Sequence, residues 1–155
     1  MTSNARQQRT QGQWAVDGRD PLNANEEFKA ADGGLSVRQR VLDTYAREGF
    51  ESIPADDLHG RLRWWGLYTQ RRQDIDGSRT GTLGPDELSD RYFMMRVRLD
   101  GGAVTTAQLR TLAAISTDFA RGTADISDRQ NIQYHWIRIE DVPEVWARLE
   151  AAGMQ

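Results

Sequence analysis

The sequence predicts an α+β domain in which helices cover one face of an antiparallel sheet and the other face stays open. From residue 92 onward, the pattern gives the order strand, helix, strand, strand, helix. Two of the strands alternate apolar and polar side chains with a period of two, which is typical of strands with one buried face. With 155 residues, of which 38% are hydrophobic, the chain is large enough to bury a core.

A long and largely irregular segment precedes this domain. Residues 1–34 hold few large apolar side chains, and they predict a tail that is flexible or wraps a larger body. Residues 35–90 form a second region, which begins with a short amphipathic helix capped by Ser36 and stopped by Gly49. Proline and glycine interrupt residues 50–90, so we expect an irregular loop there that binds or wraps.

Arginine alternates with aromatic residues inside this region, at residues 60–72 (GRLRWWGLYTQRR). Such mixing can stack nucleobases and neutralise phosphates. It can also anchor a loop in the core through its aromatic side chains, or line a pocket for an anionic cofactor. The net charge of −3 argues against a dedicated nucleic-acid binder, so we expect no nucleic-acid partner.

The third region, residues 91–155, contains the regular elements. Residues 92–99 predict a strand, and two arginines, Arg96 and Arg98, share one of its faces. After a turn at 100–102, Thr105 or Thr106 caps a helix that ends near Gly122.

A hairpin and a last helix complete the region. The hairpin has a short strand at 124–127, a turn at 128–130 and a strand at 131–139. One face of the second strand would carry Ile132, Tyr134 and Trp136, and the other Asn131, Gln133 and His135. Residues 141–144 resemble a capping box with proline in the first turn, and they predict a helix that continues to Gly153.

This order of elements is most of a ferredoxin-like split βαβ unit. The free face of its sheet would carry five polar side chains: Arg96, Arg98, Ser127, Gln133 and His135. Because charge-assisted arginine–carboxylate bonds are strong, this face suits a flat ligand rimmed with carboxylates or another protein layer with acidic groups. The ligand hypothesis predicts that the face and the arginine–aromatic segment converge on one concave site. The hypothesis of a stand-alone binding module predicts that they diverge.

Several spaced motifs carry a resemblance to a known family. Residues 94–102 (MMRVRLDGG), 105–109 (TTAQL) and 128–135 (DRQNIQYH) resemble the N-terminal part of the sirohaem-containing nitrite and sulfite reductases. Residues 63–71 (RWWGLYTQR) resemble the form found in the ferredoxin-dependent reductases of actinobacteria. The domain at 91–155 is thus identified as a nitrite/sulfite reductase ferredoxin-like half-domain, and the resemblance extends over about residues 48–153.

The resemblance implies six-electron reduction of sulfite to sulfide, or of nitrite to ammonia, with ferredoxin as the electron donor. The reaction takes place at a sirohaem whose iron is bridged by a cysteine to a 4Fe-4S cluster. Arg96 matches the arginine that holds the substrate anion. Six further residues match positions near the macrocycle or its distal pocket: Tyr68, Ser127, Arg129, Asn131, Gln133 and His135. Asp125 departs from the family, since some members have arginine there. The segment around Tyr68 favours sulfite over nitrite.

The absence of cysteine limits what this chain does alone. It excludes disulfides, thiolate catalysis and a cysteine-ligated iron–sulfur cluster, and we expect no metal ligand here. We therefore expect the chain to be the N-terminal portion of a longer reductase, inactive without the cysteine-bearing portion. No apolar run approaches a membrane span and the N-terminus lacks a secretory signal, so we expect a cytoplasmic protein without a membrane partner.

Overall fold

The computed structural model describes residues 28, 31–79, 81–84, 87 and 89–154, and most of the predicted tail at 1–34 lies outside them. Two compact units are present, Met1–Ser36 and Val37–Gln155, and the sheet lies in the second. The helices and strands are α1 (Gly34–Arg40, followed by a π-helical turn at Val41–Tyr45 and a helical turn at Ala46–Glu48), α2 (Ala55–His59), β1 (Leu67–Arg71), β2 (Ser89–Val97), α3 (Thr106–Phe119), β3 (Asp125–Ile126), β4 (Ile132–Ile137) and α4 (Val142–Ala151).

The four strands form one antiparallel sheet in the order β1-β2-β4-β3. Phe93, Met95 and Val97 of β2 are fully buried, whereas Arg96 is half-buried and Arg98 exposed. The phenol of Tyr134 on β4 donates a hydrogen bond to the Leu112 carbonyl of α3 at 2.8 Å, and burial raises its pKa above the ordinary value. The predicted α+β class is confirmed, and Arg96 lies on the face of β2 opposite its buried residues, whereas Arg98 follows the end of the strand.

The prediction that residues 50–90 are irregular is wrong in part. They contain α2, a 3-10 turn at Arg61–Trp65 and the edge strand β1, whose Leu67 pairs with Met95. β1 has only five residues, and its burial does not alternate strictly, since Leu67 and Gln70 are its buried members. A strand this short gives little periodicity, so its pairing with β2 defines it.

A bulge in β4 overturns the predicted position of Trp136. Pairing shifts between Phe93 and Met95, so three steps on β4 oppose two on β2. Trp136 adopts φ +69°, and Ile137 takes the buried position instead. The indole of Trp136 packs edge-on to Tyr92, with ring centroids 6.0 Å apart. The backbone N–H of Trp136 donates a hydrogen bond to Gln70 Oε1 at 3.0 Å. This bond satisfies the N–H group, which the bulge takes out of the hydrogen bonding between the strands.

Helix ends agree with the predictions in part. Thr105, one of the two predicted caps, begins α3, and it does so in a complete capping box with Gln108. At α4 the predicted capping box is wrong, because Asp141 makes no side-chain cap hydrogen bond, although proline does occupy the first turn. α1 begins at Gly34, so Ser36 lies inside the helix and is not its N-cap. Gly49 ends that helical stretch at φ +87°, as expected.

Helix length bears on membrane association. Within the described part of the chain, no helix is long and apolar enough to cross a membrane.

Candidate functional site

Arg96 lies at the centre of the open sheet face and is held from both sides. On β4 it faces Gln133 in the register. With the amide oxygen turned toward the guanidinium, Gln133 Oε1 accepts hydrogen bonds from Arg96 Nε at 3.3 Å and Nη2 at 2.8 Å. On β1 the Tyr68 ring lies 5.4 Å from the guanidinium carbon. These two contacts orient a permanently charged fork.

A cavity of about 720 Å³ opens where β2 ends and β4 begins. We call it the arginine cavity, because five arginines line it: Arg38, Arg63, Arg96, Arg98 and Arg129. The remainder of its lining is Trp64, Trp65, Gly66, Asn131, Trp146, Leu149, Glu150 and Met154. Arg96 and Arg98 of the predicted sheet face thus line one concave site together with residues 63–66 of the arginine–aromatic segment. The ligand hypothesis itself stays a prediction.

Two of these arginines already have acidic partners. Arg38 Nη2 contacts Glu150 Oε1 at 2.7 Å, and its guanidinium carbon lies 5.9 Å from the Trp65 ring and 5.7 Å from the Trp146 ring. Arg98 Nε contacts Asp100 Oδ1 at 3.2 Å on the surface. Arg38 is therefore part of the cavity wall. Arg98 forms a salt bridge at the surface.

The turn that carries Arg129 is built by its neighbours. Ser127 Oγ accepts a hydrogen bond from the Asn131 backbone N–H at 3.1 Å, and Gln130 takes φ +59°. Asn131 Oδ1 accepts from the Leu99 backbone N–H at 3.0 Å. In this structure, Ser127 and Asn131 thus fix the turn, and the exposed Arg129 side chain is left at the cavity.

His135 lies on the same sheet but does not line the arginine cavity. Its Nε2 is 3.1 Å from Asp125 Oδ2, and both side chains are partly exposed. Asp125 thus brings a negative group next to His135. Among the described residues, no group of three or more metal-ligating side chains is present.

The structure thus divides the predicted site residues into two sets. Arg96, Arg129 and Asn131 line the arginine cavity, whereas Tyr68, Gln133, Ser127 and His135 do not. Their predicted contacts with a cofactor remain predictions. Sequence reasoning missed two lining arginines as site residues. Arg63 stands in the singled-out segment, but the helical pattern around Arg38 held no signal for a site.

Comparison with known proteins finds one matching family model and several similar proteins. Residues 86–152 match a family model described as Nitrite/Sulfite reductase ferredoxin-like half domain. The chain is 59% identical over 154 residues to the Sulfite reductase [ferredoxin] of Mycobacterium tuberculosis (strain ATCC 25618 / H37Rv), which covers 99% of this chain and 28% of that protein. It is 36% identical over 142 residues to the assimilatory ferredoxin-dependent nitrite reductase of Haloferax mediterranei, which covers 83% of this chain and 22% of that protein.

A solved structure agrees with these similarities. The Mycobacterium tuberculosis NirA protein matches with a TM-score of 0.88 at 61% identity, over 95% of this chain and 27% of that one. The chain thus spans about a quarter of the length of the relatives it matches.

Proposed function

Because this chain carries the ferredoxin-like half-domain of the nitrite and sulfite reductases, we propose that it forms part of a ferredoxin-dependent sulfite reductase that converts sulfite to sulfide. Its share of that function is to bind one side of a sirohaem and the substrate anion beside it. The observation that carries the proposal is the arginine cavity, in which Arg96 and Arg129 meet the arginine–aromatic segment.

The residues of the cavity fit such a cofactor. Sirohaem is a flat macrocycle with several carboxylates on its rim, and the cavity offers arginine forks beside the rings of Trp64 and Trp65. When bound, the group supplies the electron transfer that reduces the substrate. This chain contains no cysteine, so the proposal assigns the thiolate ligands of a 4Fe-4S cluster to residues outside this chain. This chain alone should not turn over substrate.

Arg96 is proposed to hold the oxyanion. A small anion beside a polyanionic macrocycle needs a positive charge that deprotonation cannot remove, and arginine supplies it. The contacts with Tyr68 and Gln133 orient the guanidinium group of Arg96 before the substrate binds. The fork can then stabilise negative charge on the oxygen that departs, without the cost of reorganising a mobile side chain.

The other predicted residues would serve the macrocycle. Arg129 would pair with a carboxylate from a turn that Ser127 and Asn131 make rigid. His135 would donate or accept a hydrogen bond at the rim, with Asp125 setting its orientation. Ferredoxin is the proposed electron donor, as in the names of the relatives.

Sulfite is proposed over nitrite on sequence similarity. Relatives at 58% and 59% identity are named sulfite reductases, whereas those named nitrite reductases are 36% identical or less. Nitrite is held by the same arginine chemistry and is the competing substrate in the test.

A chimera tests the proposal. The aligned part of the Mycobacterium tuberculosis enzyme is replaced by this chain, and reduction of sulfite and nitrite by reduced ferredoxin is measured. The chimera should prefer sulfite, and Arg96→Gln should lower kcat/KM for sulfite about a hundredfold. Arg110→Gln, on the exposed side of α3, is the matched control and should change nothing. A folded chimera with full cofactor content but no activity, or full activity in Arg96→Gln, would contradict the proposal.

A further inference from the structure

Arg63 is, like Arg96 and Arg129, an arginine of the cavity for which the described residues provide no ion pair. It is exposed and lines the cavity, and no acidic side chain within the described ranges forms an ion pair with it. Arg38 and Arg98, in contrast, are paired with Glu150 and Asp100. An arginine side chain without an ion pair in a concave, positively charged site can bind a carboxylate of a ligand.

The turn that presents Arg63 is fixed on both sides. Leu62 before it is fully buried, and the Trp65 ring after it packs on Trp146 with centroids 5.6 Å apart. The Gly66 N–H donates to the Arg63 carbonyl at 3.2 Å, and the Gly66 carbonyl accepts from the Arg96 N–H at 2.8 Å. Arg63 and Arg96 therefore belong to one hydrogen-bonded backbone unit, and their separation is set by that unit.

A buried carboxylate anchors the start of the same turn. Asp57 is 1% exposed, and its Oδ1 accepts from Arg61 Nη1 at 2.9 Å. Its Oδ2 accepts from Tyr45 Oη at 2.6 Å and from Arg40 Nε at 2.8 Å. Arg61 and Arg40 each lie two residues from a cavity arginine, so one carboxylate ties both supporting segments together.

We propose that Arg63 is a further ligand-binding residue of the arginine cavity, where it pairs with a carboxylate of the macrocyclic ligand, and that Asp57 is the positioning residue that orients it. This inference rests on the proposed function, because it concerns the same cavity. It assigns the arginine–aromatic segment a specific task. Arg96 from the sheet and Arg63 from the segment hold the ligand from two sides.

The test uses uroporphyrin, a metal-free porphyrin whose rim carries carboxylates, and this chain with no other component. Binding is measured by isothermal titration calorimetry. Arg63→Gln should weaken binding about tenfold, the loss of one charge-assisted hydrogen bond. Arg110→Gln removes an equal charge away from the cavity and should leave the affinity unchanged.

A double-mutant cycle separates positioning from general stability. Asp57→Asn should weaken binding by a similar factor, and Arg63→Gln combined with Asp57→Asn should lose no more than either change alone. Circular dichroism verifies that each variant is folded at the temperature of the titration. Should Asp57→Asn not fold, Tyr45→Phe takes its place in the cycle, since it removes one hydrogen bond to Asp57 and keeps the carboxylate.

Each outcome decides the inference. Unchanged affinity in Arg63→Gln overturns the binding role, and multiplicative losses in the double variant overturn the positioning role. If the unmodified chain does not bind uroporphyrin, the proposed function fails together with this inference. Binding that Arg63→Gln leaves intact overturns this inference alone.

Discussion

At the scale of single residues, the Asp57 carboxylate shows how burial and hydrogen bonding compete. Burial by itself would raise the pKa of Asp57, but hydrogen bonds from Tyr45, Arg40 and Arg61 lower it below its ordinary value. Burial and the neighbouring carboxylate raise the pKa of Tyr45 to about 12. The network is therefore stable only while Asp57 is charged and Tyr45 neutral.

This network predicts two pH limits of stability. The folded chain favours the charged form of Asp57. Its contribution to the stability of the fold is therefore present above pH 3.8, the ordinary pKa, and is lost as the pH falls through the lower pKa of the folded state. The contribution of Tyr45 to stability depends on pH in the opposite direction, because its pKa is raised in the folded state. Its contribution is complete below pH 10, the ordinary value, and is lost as the pH rises toward 12.

Denaturant titrations across pH check the alkaline limit. Tyr45→Phe should cost about 1 to 2 kcal/mol in the free energy of unfolding at pH 7, because a buried hydrogen bond is lost. The difference from the unmodified chain should narrow between pH 10 and 12, since only the unmodified chain loses the tyrosine contribution there. A constant difference across that range would rule out the coupling of Tyr45 to Asp57.

At the scale of elements, β1 shows how a strand depends on the glycine before it. Gly66 has φ +73°, and its carbonyl oxygen accepts a hydrogen bond from the Arg96 N–H at 2.8 Å. A Cβ atom built on Gly66 would lie 2.5 Å from the Arg96 carbonyl oxygen. Only glycine combines that backbone conformation with that approach, so this position controls both the edge strand and the anion-binding arginine.

Gly66→Ala should therefore destabilise the chain by roughly 3 kcal/mol, from left-handed strain together with displacement of β2. Urea denaturation measures the loss, and uroporphyrin affinity should fall as well, because the displaced backbone carries Arg96. Gly77→Ala is the matched control, since a Cβ there meets nothing within 4 Å. Equal stabilities for the two variants would show that β1 adapts to a side chain at this position.

The position of Trp136 on β4 differs between the prediction and the structure. Trp136 was expected to face the core from strict alternation, but a bulge moves Ile137 into that position. Alternation predicts faces only while the register is regular, and a bulge depends on the partner strand. A cap at Thr105 or Thr106 was predicted, and Thr105 is the cap, because capping is a local interaction within four residues.

At the scale of the whole molecule, charge is unevenly distributed. The chain carries a net charge of −3, yet the arginine cavity holds five arginines against one lining carboxylate, Glu150. Opposite charges elsewhere give the low net value, so composition alone conceals the cationic site. Such a site attracts polyanions through a field that salt screens.

Uroporphyrin affinity should therefore fall about tenfold or more as NaCl is raised from 0.1 to 1 M, where the Debye length drops from about 10 Å to about 3 Å. Arg63→Gln should show a shallower dependence than the unmodified chain, and Arg110→Gln the same dependence. Affinity that is independent of salt would assign the binding to the tryptophan rings of the cavity instead.

The sequence by itself determined the α+β class, the order of the last five elements and the position of Arg96 opposite the buried face of its strand. These features follow from local rules, since periodicity, caps and turns are encoded within a few neighbouring residues. The motifs around Arg96 and Arg129 also carried the resemblance to the nitrite and sulfite reductases. The site residues were then assigned by resemblance, one position at a time.

Only the tertiary structure decided which of those residues meet. Strand β1, the bulge at Trp136 and the arginine cavity all require segments distant in the chain to pack together, and no local pattern specifies that packing. Arg63 and Arg96 are 33 positions apart in the sequence but are joined through Gly66 by two backbone hydrogen bonds. The long-range contacts of the folded chain therefore define the candidate site.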